Sequence, residues 1–448
     1  MRGEKTRLRP TVSLVSLGCA KNLVDSEVMS GLLRQQGFAL VDAPEKADVV
    51  IVNTCAFIQE ATQEAIDHLF AAVRLKQSGR VTRVIAAGCL PQRYGREIAG
   101  LLPEIDGFVG PGSVARVPEA VRKVWQGTRV RFLSGTHTLY KPDTPRLLLT
   151  PRHTAYVKVA DGCDNRCRYC VIPSIRGPYR SRSLRSIVAE VKHLARQGVK
   201  GFNLISQDTT FYGKDRSGAY DLERLLKQLV RVAGDVRWIR ILYTHPGHFR
   251  PELLDMIRQE PKICKYLDMP IQHINSRMLE KMGRNITGTQ LRRRIDYIRA
   301  QAPEVALRTT LIVGFPGETD IMFNELAAFV RETRFERLGV FAYSAEEGTP
   351  AARFARQVPL SVRHRRRDRI MKMQQAIAAE LQSRNVGREL DVLIDEKQNA
   401  TSAIGRTQFD APEVDGVVMV KGRRVKPGDF CRVRITGSWA YDLTGEIV

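Results

Sequence analysis

The chain has 448 residues, of which 43% are hydrophobic and 27% are charged, and its formal net charge is +23. This length allows two or three domains with ordinary cores, and the composition favours a folded globular chain over a disordered one. The positive charge favours a partner such as nucleic acid or a ribonucleoprotein, with a solvated basic surface as the alternative. The sequence contains no apolar run of about 18 residues, so it predicts no membrane-spanning helix.

The N-terminus combines basic MRGEKTRLRP with apolar TVSLVSLGC, a pattern that resembles a short export signal. The apolar run breaks into polar KNLVDSE directly after Cys19, which favours a strand of a cytoplasmic protein. Eight cysteines in a chain without an export signal predict free thiols that are available as metal ligands. Cys264 and Cys431 lie outside the two groups described below, and we interpret them as structural thiols.

The first hundred residues alternate apolar β-branched runs with helical patterns. TVSLVSL, ADVVIVNT and TRVIAAG predict strands, and NLVDSEVMSGLLRQQG and IQEATQEAIDHLFAAVRL predict helices. Cys19, Cys55 and Cys89 follow the three strands in turn. Because the carboxyl ends of parallel strands share one edge of a sheet, we expect the three cysteines to be neighbours. Three unrelated buried cysteines are the alternative, and the turn contexts LGC, NTC and AGC argue against it.

A stretch rich in Pro, Gly, Arg and Thr begins near residue 111 and predicts a linker with a small hairpin. A second alternating series then starts with YVKVAD and continues with five more strands, which predicts a partial (βα)6 barrel of the TIM type. Those strands are GFNLISQD, WIRILYTHP, YLDMPIQH, ALRTTLIVGF and RLGVFAYSAEEG. The chemistry of such a barrel belongs at the carboxyl ends of its strands. LSVRHRRRDRIMKMQQAIAAELQSRN predicts a helical connector, and the strand-rich end of the chain predicts a small β-barrel.

The segment DGCDNRCRYC places Cys163, Cys167 and Cys170 directly after the first strand of the predicted barrel. Three thiolates are one ligand short of a closed tetrahedral zinc site, so a zinc site with a remote fourth ligand is one interpretation. An iron–sulfur cluster with one iron left open is the other, since thiolates suit both. Tyr169 would shield such a cluster.

The spacing of these three cysteines, after the first strand of a partial barrel, resembles the motif of the radical S-adenosylmethionine superfamily. The whole arrangement is similar to the methylthiotransferases: an N-terminal domain with three cysteines, a radical S-adenosylmethionine barrel and a C-terminal TRAM domain. SLGCAKNLVDSE, CVIPSIRGPYRSR and GRTQFDAPEVDG resemble the branch that modifies a ribosomal protein. The branch that modifies tRNA adenosines is the alternative.

The resemblance implies an α/β chain with a flavodoxin-like parallel sheet domain (1–125), a linker (126–154), a radical S-adenosylmethionine core (155–384) and an all-β TRAM barrel (385–448). It implies two 4Fe–4S clusters, one on Cys163, Cys167 and Cys170, where S-adenosylmethionine chelates the open iron, and one on Cys19, Cys55 and Cys89. The first would generate a 5′-deoxyadenosyl radical, and the second would carry the sulfur that a second S-adenosylmethionine methylates. The acceptor would be the β-carbon of an aspartate in ribosomal protein S-twelve of the small subunit, and the electron donor a flavodoxin or ferredoxin. We expect a cytoplasmic monomer.

Two further motifs and two histidines lie at the ends of the predicted barrel strands. LIVGFPGET has glycines that would let the backbone approach S-adenosylmethionine, with a structural turn as the alternative, and SQDTT is interpreted in the same way. His245 and His273 end the third and fourth strands, and we interpret them as histidines satisfied by hydrogen bonds rather than as site residues.

The residues of the last domain favour two different classes of substrate. A TRAM-like barrel and a basic chain suggest RNA as a partner. The acidic run FDAPEVDGV, with Asp410, Glu413 and Asp415, would suit a basic ribosomal protein, and a solvated turn is the alternative. A non-catalytic RNA-binding protein with structural zinc is the hypothesis from another functional class.

Overall fold

The structure, a computed structural model, describes residues 9–133 and 139–448 and divides into two compact units. The first unit comprises the described residues up to Leu149 together with Asp161–Asp164 and Cys170–Arg182. The second comprises Thr150–Ala160, Asn165–Tyr169 and Ser183–Val448. Most of the basic N-terminal segment and residues 134–138 of the predicted linker lie outside the described residues. Within the described ranges, no helix combines the length and apolar character that crossing a membrane requires.

A six-stranded parallel sheet forms the centre of the first unit, with the strand order β2-β1-β3-β4-β5-β6. Its strands are β1 (Thr11–Ser16), β2 (Ala39–Leu40), β3 (Val49–Thr54), β4 (Arg83–Gly88), β5 (Gly107–Val109) and β6 (Val130–Phe132). Its helices are α1 (Ala20–Gln35), α2 (Gln59–Gln77), α3 (Cys89–Leu101), α4 (Val117–Trp125) and α5 (Ile172–Arg176). The order β2-β1-β3 places a topological switch point between β1 and β3, as in flavodoxin-like sheets. The predicted flavodoxin-like domain is confirmed.

The central strands are buried on both faces. All six residues of β3, VVIVNT, are buried, since separate apolar clusters cover the two sides of the sheet. A parallel strand covered by helices on both faces is expected to be a continuous run of β-branched residues, which is the pattern that made β3 predictable.

The segment after residue 111 differs from the predicted linker with a hairpin. Helix α4 follows a short 3₁₀ turn, and β6 pairs in parallel with β5 as the last strand of the sheet. Val130 and Phe132 are buried while Arg131 is exposed, so the three residues have the alternation of an edge strand with one covered side. The run is too short for its periodicity to be recognised in the sequence.

Six parallel strands form a partial barrel in the second unit, as two three-stranded sheets. They are β7 (Thr154–Lys158), β10 (Gly201–Ile205), β11 (Trp238–Ile241), β12 (Tyr266–Asp268), β13 (Ala306–Val313) and β14 (Arg337–Ala342). A parallel bridge joins Ile239 of β11 to Ile263, three residues before β12, and the predicted partial barrel is confirmed. Short strands β8 (Ala160–Asp161) and β9 (Arg180–Ser181) precede and follow the cysteine segment. The helices are α6 (Leu184–Arg196), α7 (Lys214–Ser217), α8 (Leu222–Val232), α9 (Pro251–Gln259), α10 (Ser276–Lys281), α11 (Gly288–Gln301) and α12 (Asp320–Thr333).

The C-terminal residues form the predicted closed β-barrel, with the order β15-β16-β17-β19-β18. Its strands are β15 (Glu389–Lys397), β16 (Ser402–Arg406), β17 (Val418–Lys421), β18 (Phe430–Ser438) and β19 (Leu443–Ile447). The predicted connector is helix α13 (Leu360–Ser383), which packs against α12 and β14. Closure leaves this small sheet without a free edge.

Two of the three acidic side chains of the run FDAPEVDGV face inward, not toward a partner. Asp410 accepts a hydrogen bond from Arg337 Nε at 3.0 Å, and Asp415 accepts one from the Tyr266 hydroxyl at 2.6 Å and pairs with Arg308 Nε at 3.4 Å. The side chains of Asp410 and Asp415 are buried, while Glu413 is exposed. The expectation that this run offers a basic partner an acidic patch is therefore wrong for both aspartates, because they bind cations in strands of the partial barrel.

Candidate functional site

Cys19, Cys55 and Cys89 lie at the carboxyl edge of the parallel sheet in the first unit. Cys19 precedes α1, Cys55 follows β3, and Cys89 is the first residue of α3. Cys19 and Cys55 flank the switch point, and Cys89 follows the next strand in the sheet. Gly18 packs against Cys55 so closely that a Cβ there would lie 2.4 Å from Cys55 Cβ and 3.0 Å from its Sγ. The expectation that the three cysteines are neighbours holds in the structure.

Burial raises the pKa of two of these thiols, Cys55 and Cys89. Burial, and then the charge of Cys19, raises the pKa of the Cys55 thiol. Burial raises the pKa of Cys89 to about 12, an effect that the positive charge of Arg176 opposes. Without a bound metal group, Cys55 and Cys89 are therefore neutral thiols at pH 7. Binding of a metal group would displace their protons, as metal binding to cysteine does generally.

Arg176, the last residue of α5, is a member of this site that the sequence analysis missed. Its Nη2 donates to Asp25 Oδ2 at 2.9 Å and to Cys89 Sγ at 3.8 Å, and its Nη1 donates to Asp161 Oδ1 at 3.2 Å. The arginine is 1% exposed. No pattern in the sequence marks it, because its contact with Cys89 spans 87 residues of the chain.

Cys163, Cys167 and Cys170 occupy the short segment between β8 and α5. The backbone N–H of Cys163 donates to the Gly177 carbonyl at 3.1 Å, and Cys170 Sγ accepts from the Ile172 N–H at 3.5 Å. Cys163 is buried, and the other two cysteines are partly exposed. None of the eight cysteines, all of which lie within the described residues, forms a disulfide bond, so both groups of three can act as ligands.

The second unit holds Cys167 through a buried arginine. Arg284 Nη1 donates to Cys167 Sγ at 3.7 Å, and its Nη2 donates to the Pro270 carbonyl at 2.6 Å. The ring of Tyr169 packs edge-on against Phe315 at 6.4 Å, within a small apolar cluster of the barrel. That Tyr169 shields a cluster stays a prediction.

A polar network lies at the carboxyl ends of β10 and β11. Asp208 accepts from Asn165 Nδ2 at 2.7 Å and from Thr210 Oγ1 at 2.6 Å, and it pairs with His248 Nδ1 at 2.7 Å. Ligand atoms of Asp208, His245 and His248 lie within 4.8 Å of one another, so this group could hold a cation. Burial, and then the charge of Arg284, holds the pKa of His245 well below its usual range.

Both histidines singled out in the sequence have hydrogen-bond partners, as we interpreted them. Gly247 N–H donates to His245 Nδ1 at 3.0 Å. His273 is fully buried, accepts from the Asn275 N–H at 2.9 Å and contacts Glu318 Oε1 at 3.2 Å.

The glycines of LIVGFPGET are needed for packing within the protein. A Cβ at Gly314 would lie 2.3 Å from Arg363 Cγ, and one at Gly317 would lie 2.5 Å from Lys281 Nζ. Both residues have positive φ, at 72° and 83°, which favours glycine. The structure thus supports the structural turn for this segment.

Family models match three consecutive segments of the chain. A family described as uncharacterized protein family UPF0004 matches residues 11–110, the radical SAM superfamily matches residues 157–330, and the TRAM domain matches residues 386–448.

Solved structures share the fold at low identity. The structure of TsrM, a radical S-adenosylmethionine methyltransferase from Kitasatospora setae with cobalamin and a 4Fe–4S cluster bound, matches with a TM-score of 0.55 and 17% identity. The match covers 77% of each chain. At this identity, the likeness concerns the fold alone.

Curated relatives match nearly the full chain. A protein of Heliobacterium modesticaldum named ribosomal protein uS12 methylthiotransferase RimO is 46% identical over 437 residues, which are 98% of this chain and 95% of the relative. A protein of Clostridioides difficile with the same name is 42% identical over 438 residues, which are 98% of each chain. On this evidence the chain belongs to the RimO family of methylthiotransferases, enzymes of the radical S-adenosylmethionine superfamily.

Proposed function

We propose that this enzyme adds a methylthio group to the β-carbon of an aspartate of small-subunit ribosomal protein uS12, using two 4Fe–4S clusters and two S-adenosylmethionine molecules. One observation carries the proposal: the chain has two separate groups of three cysteines that form no disulfide, each with a buried arginine that donates to one sulfur. The relatives that match 98% of the chain are named for uS12. These names do not favour the alternative, tRNA methylthiolation.

The residues present fit the two clusters. Thiolates are the preferred protein ligands of iron–sulfur clusters, and three thiolates leave one iron open. When bound, the cluster on Cys163, Cys167 and Cys170 would supply the electron that cleaves S-adenosylmethionine, and the cluster on Cys19, Cys55 and Cys89 would carry the sulfur to be methylated. The protein's part is to orient the thiolates and keep water away, since the cofactors perform the chemistry.

Each group of cysteines is positioned by a different device. The backbone of Arg168 is bonded on both sides, to the Met282 carbonyl and to the Ala351 N–H, each at 2.9 Å, which fixes the segment that carries Cys167. Cys19 and Cys89 lie at the N-termini of α1 and α3, and Cys55 directly follows β3, so the parallel sheet positions all three.

The remaining expectations belong to the same proposal: a monomer in the cytoplasm, with a flavodoxin or ferredoxin as electron donor. The division into an N-terminal domain (1–125), a linker (126–154), a core (155–384) and a TRAM domain (385–448) also stays a prediction. The net charge of +23 does not select between a basic ribosomal protein and an RNA as the surface that the enzyme approaches.

The decisive experiment compares a deletion strain with its parent by mass spectrometry of uS12 and of bulk tRNA. We expect uS12 to lose the mass of one methylthio group and tRNA to be unchanged. Loss of a methylthio group from tRNA, with unmodified uS12 in both strains, would overturn the proposal. Anaerobically reconstituted enzyme should contain about eight irons, as expected for two cubanes, whereas zinc without iron would favour a structural metal protein.

A further inference from the structure

A buried charge network lies beside the cysteines of the first unit. Arg176 and Asp25 are each 1% exposed, and Asp161 is 6% exposed. A guanidinium buried this deeply is expected only where most of its donors have partners. The carboxylates of Asp25 and Asp161 and, at 3.8 Å, Cys89 Sγ accept hydrogen bonds from the Arg176 guanidinium.

The network has neighbours that limit its negative charge. The Tyr140 hydroxyl donates to Asp25 Oδ1, so the second oxygen of that carboxylate is also engaged. Arg180 donates to the Arg176 carbonyl at 3.0 Å, and its positive charge lies within electrostatic range of Asp161. The guanidinium is therefore held in one orientation from several directions, with one edge turned to the sulfur of Cys89.

The fork of arginine matches this task. Five donors in one plane can serve two carboxylates and a sulfur together, whereas an ammonium group is a single point of charge. Gly177 follows Arg176 with φ at 72°, and this left-handed residue ends α5 directly after the arginine. The backbone of the CVIPSIRGPYRSR segment therefore fixes the position from which the Arg176 side chain extends.

We propose that Arg176 is a positioning residue for the N-terminal site, where it orients the Cys89 thiolate and raises the reduction potential of the cluster, while Asp25 and Asp161 limit that effect. The inference rests on the proposed function, in which Cys19, Cys55 and Cys89 hold a cluster. Reduction adds a negative charge to a cluster, so a nearby positive charge and an N–H donor to a ligand sulfur stabilise the reduced form. A carboxylate nearby has the opposite effect.

Arg176 and Asp25 have opposite charges, so removing each should shift the potential of the cluster in opposite directions. A purely structural role of these residues would not produce opposite shifts. The full chain with Cys163, Cys167 and Cys170 replaced by Ala isolates the N-terminal cluster. In this background we compare Arg176→Gln with the nearly isosteric Asp25→Asn, and Arg284→Gln serves as the buried-arginine control from the second unit. The midpoint potential is measured by redox titration followed by electron paramagnetic resonance, and iron is counted in each sample.

We expect opposite shifts. Arg176→Gln lowers the ratio of reduced to oxidised cluster at a fixed potential about tenfold, which is about 59 mV for a one-electron couple. Asp25→Asn raises that ratio, and Arg284→Gln leaves it unchanged. If Arg176→Gln fails to assemble the cluster, Asp25→Asn decides alone, because its upward shift requires a charge acting on the cluster.

Two other outcomes distinguish a failure of the role of Arg176 from a failure of the proposed function. A background protein with about four irons whose potential is the same in both variants, or shifts in the same direction, would overturn the role of Arg176 and leave the proposed function standing. A background protein that binds no iron would remove the second cluster from the proposed function, and the role of Arg176 with it.

Discussion

The two groups of cysteines have similar surroundings, but they are arranged differently in the sequence. Cys163, Cys167 and Cys170 lie within eight residues of one segment, whereas Cys19, Cys55 and Cys89 come from three strand ends spread over 71 residues. Each group includes one sulfur that accepts from a buried arginine, at 3.8 Å for Cys89 and 3.7 Å for Cys167. The local segment can be formed by a few turns, but the distributed group exists only when the parallel sheet is complete.

The arginines also differ in what balances their charge. Arg176 contacts two carboxylates, while Arg284 shares its other nitrogen with the carbonyl dipole of Pro270. Counting only the arginine at each sulfur and the carboxylates that this arginine contacts, the charge is −1 beside Cys89, from one arginine and two carboxylates, and +1 beside Cys167. In our proposal, this difference would make the N-terminal cluster the harder of the two to reduce, as far as these groups decide it.

The largest effect expected is the separation of the two activities by removing one group of cysteines at a time. Replacing Cys163, Cys167 and Cys170 by Ala should abolish cleavage of S-adenosylmethionine and leave about four irons. Replacing Cys19, Cys55 and Cys89 should keep cleavage and abolish methylthio transfer. The measurements are iron content, 5′-deoxyadenosine release and modified uS12, with Cys431→Ser as the control. Cleavage that persists without the barrel thiols would contradict the assignment.

A smaller change should break the distributed group alone. Gly18 has φ at 85°, and a Cβ there would lie 2.4 Å from Cys55 Cβ, so Gly18→Ala must displace one cysteine from the other. We expect the iron content to fall by about half, with cleavage of S-adenosylmethionine retained. Gly79→Ala is the matched control, since its φ is 74° and nothing lies within 4 Å of its Cβ position. An equal loss of iron in the two variants would show that the positive φ, and not the packing of Gly18 on Cys55, causes the loss.

The contrast between the groups also explains what the sequence could predict. The long strands β1, β3 and β4 and the six barrel strands were predictable from continuous apolar runs, and the spacing of the barrel cysteines is a local pattern. Strands β2, β5 and β6 have two or three residues each, too few for periodicity alone to identify them; β12 is as short, and its place in the alternating series of strands and helices predicted it. Arg176 and Arg284 could not be found, because they meet their sulfurs across 87 and 117 residues.

The inward-facing aspartates illustrate the same limit. Asp410 and Asp415 have the sequence of an exposed acidic turn, yet their partners Arg337, Arg308 and Tyr266 lie 73 to 149 residues away. Charge patterning identifies acidic residues but does not identify what they face. Whether the six cysteines hold clusters stays a prediction.

A more moderate effect is expected from Arg284→Gln. In the chain without Cys19, Cys55 and Cys89, the loss of a positive charge and of the donor to Cys167 should lower the midpoint potential of the barrel cluster. Cleavage of S-adenosylmethionine should slow as the cluster becomes harder to reduce. Redox titration and single-turnover cleavage measure the two effects, and Arg284→Lys, which keeps the charge, should recover part of the potential. An unchanged potential in Arg284→Gln would mean that the two arginines differ in role.

The smallest effect concerns acid stability at the barrel end, where His245 lies near Arg284. The pKa of His245 is held below its usual 6.5 by burial first and by Arg284 second, so the folded state keeps it neutral while the unfolded state takes up a proton. Its contribution is therefore unfavourable to folding only below pH 6.5, and it grows as the pH falls toward the folded pKa. The cost is at most about 1.4 kcal/mol for each pH unit.

His245→Asn removes the titration and keeps an acceptor for the Gly247 N–H. As the pH is lowered from 7.5 to 5.5, the melting temperature of the parent should therefore fall more than that of the variant. A difference that does not depend on pH would mean that His245 is not the group that titrates.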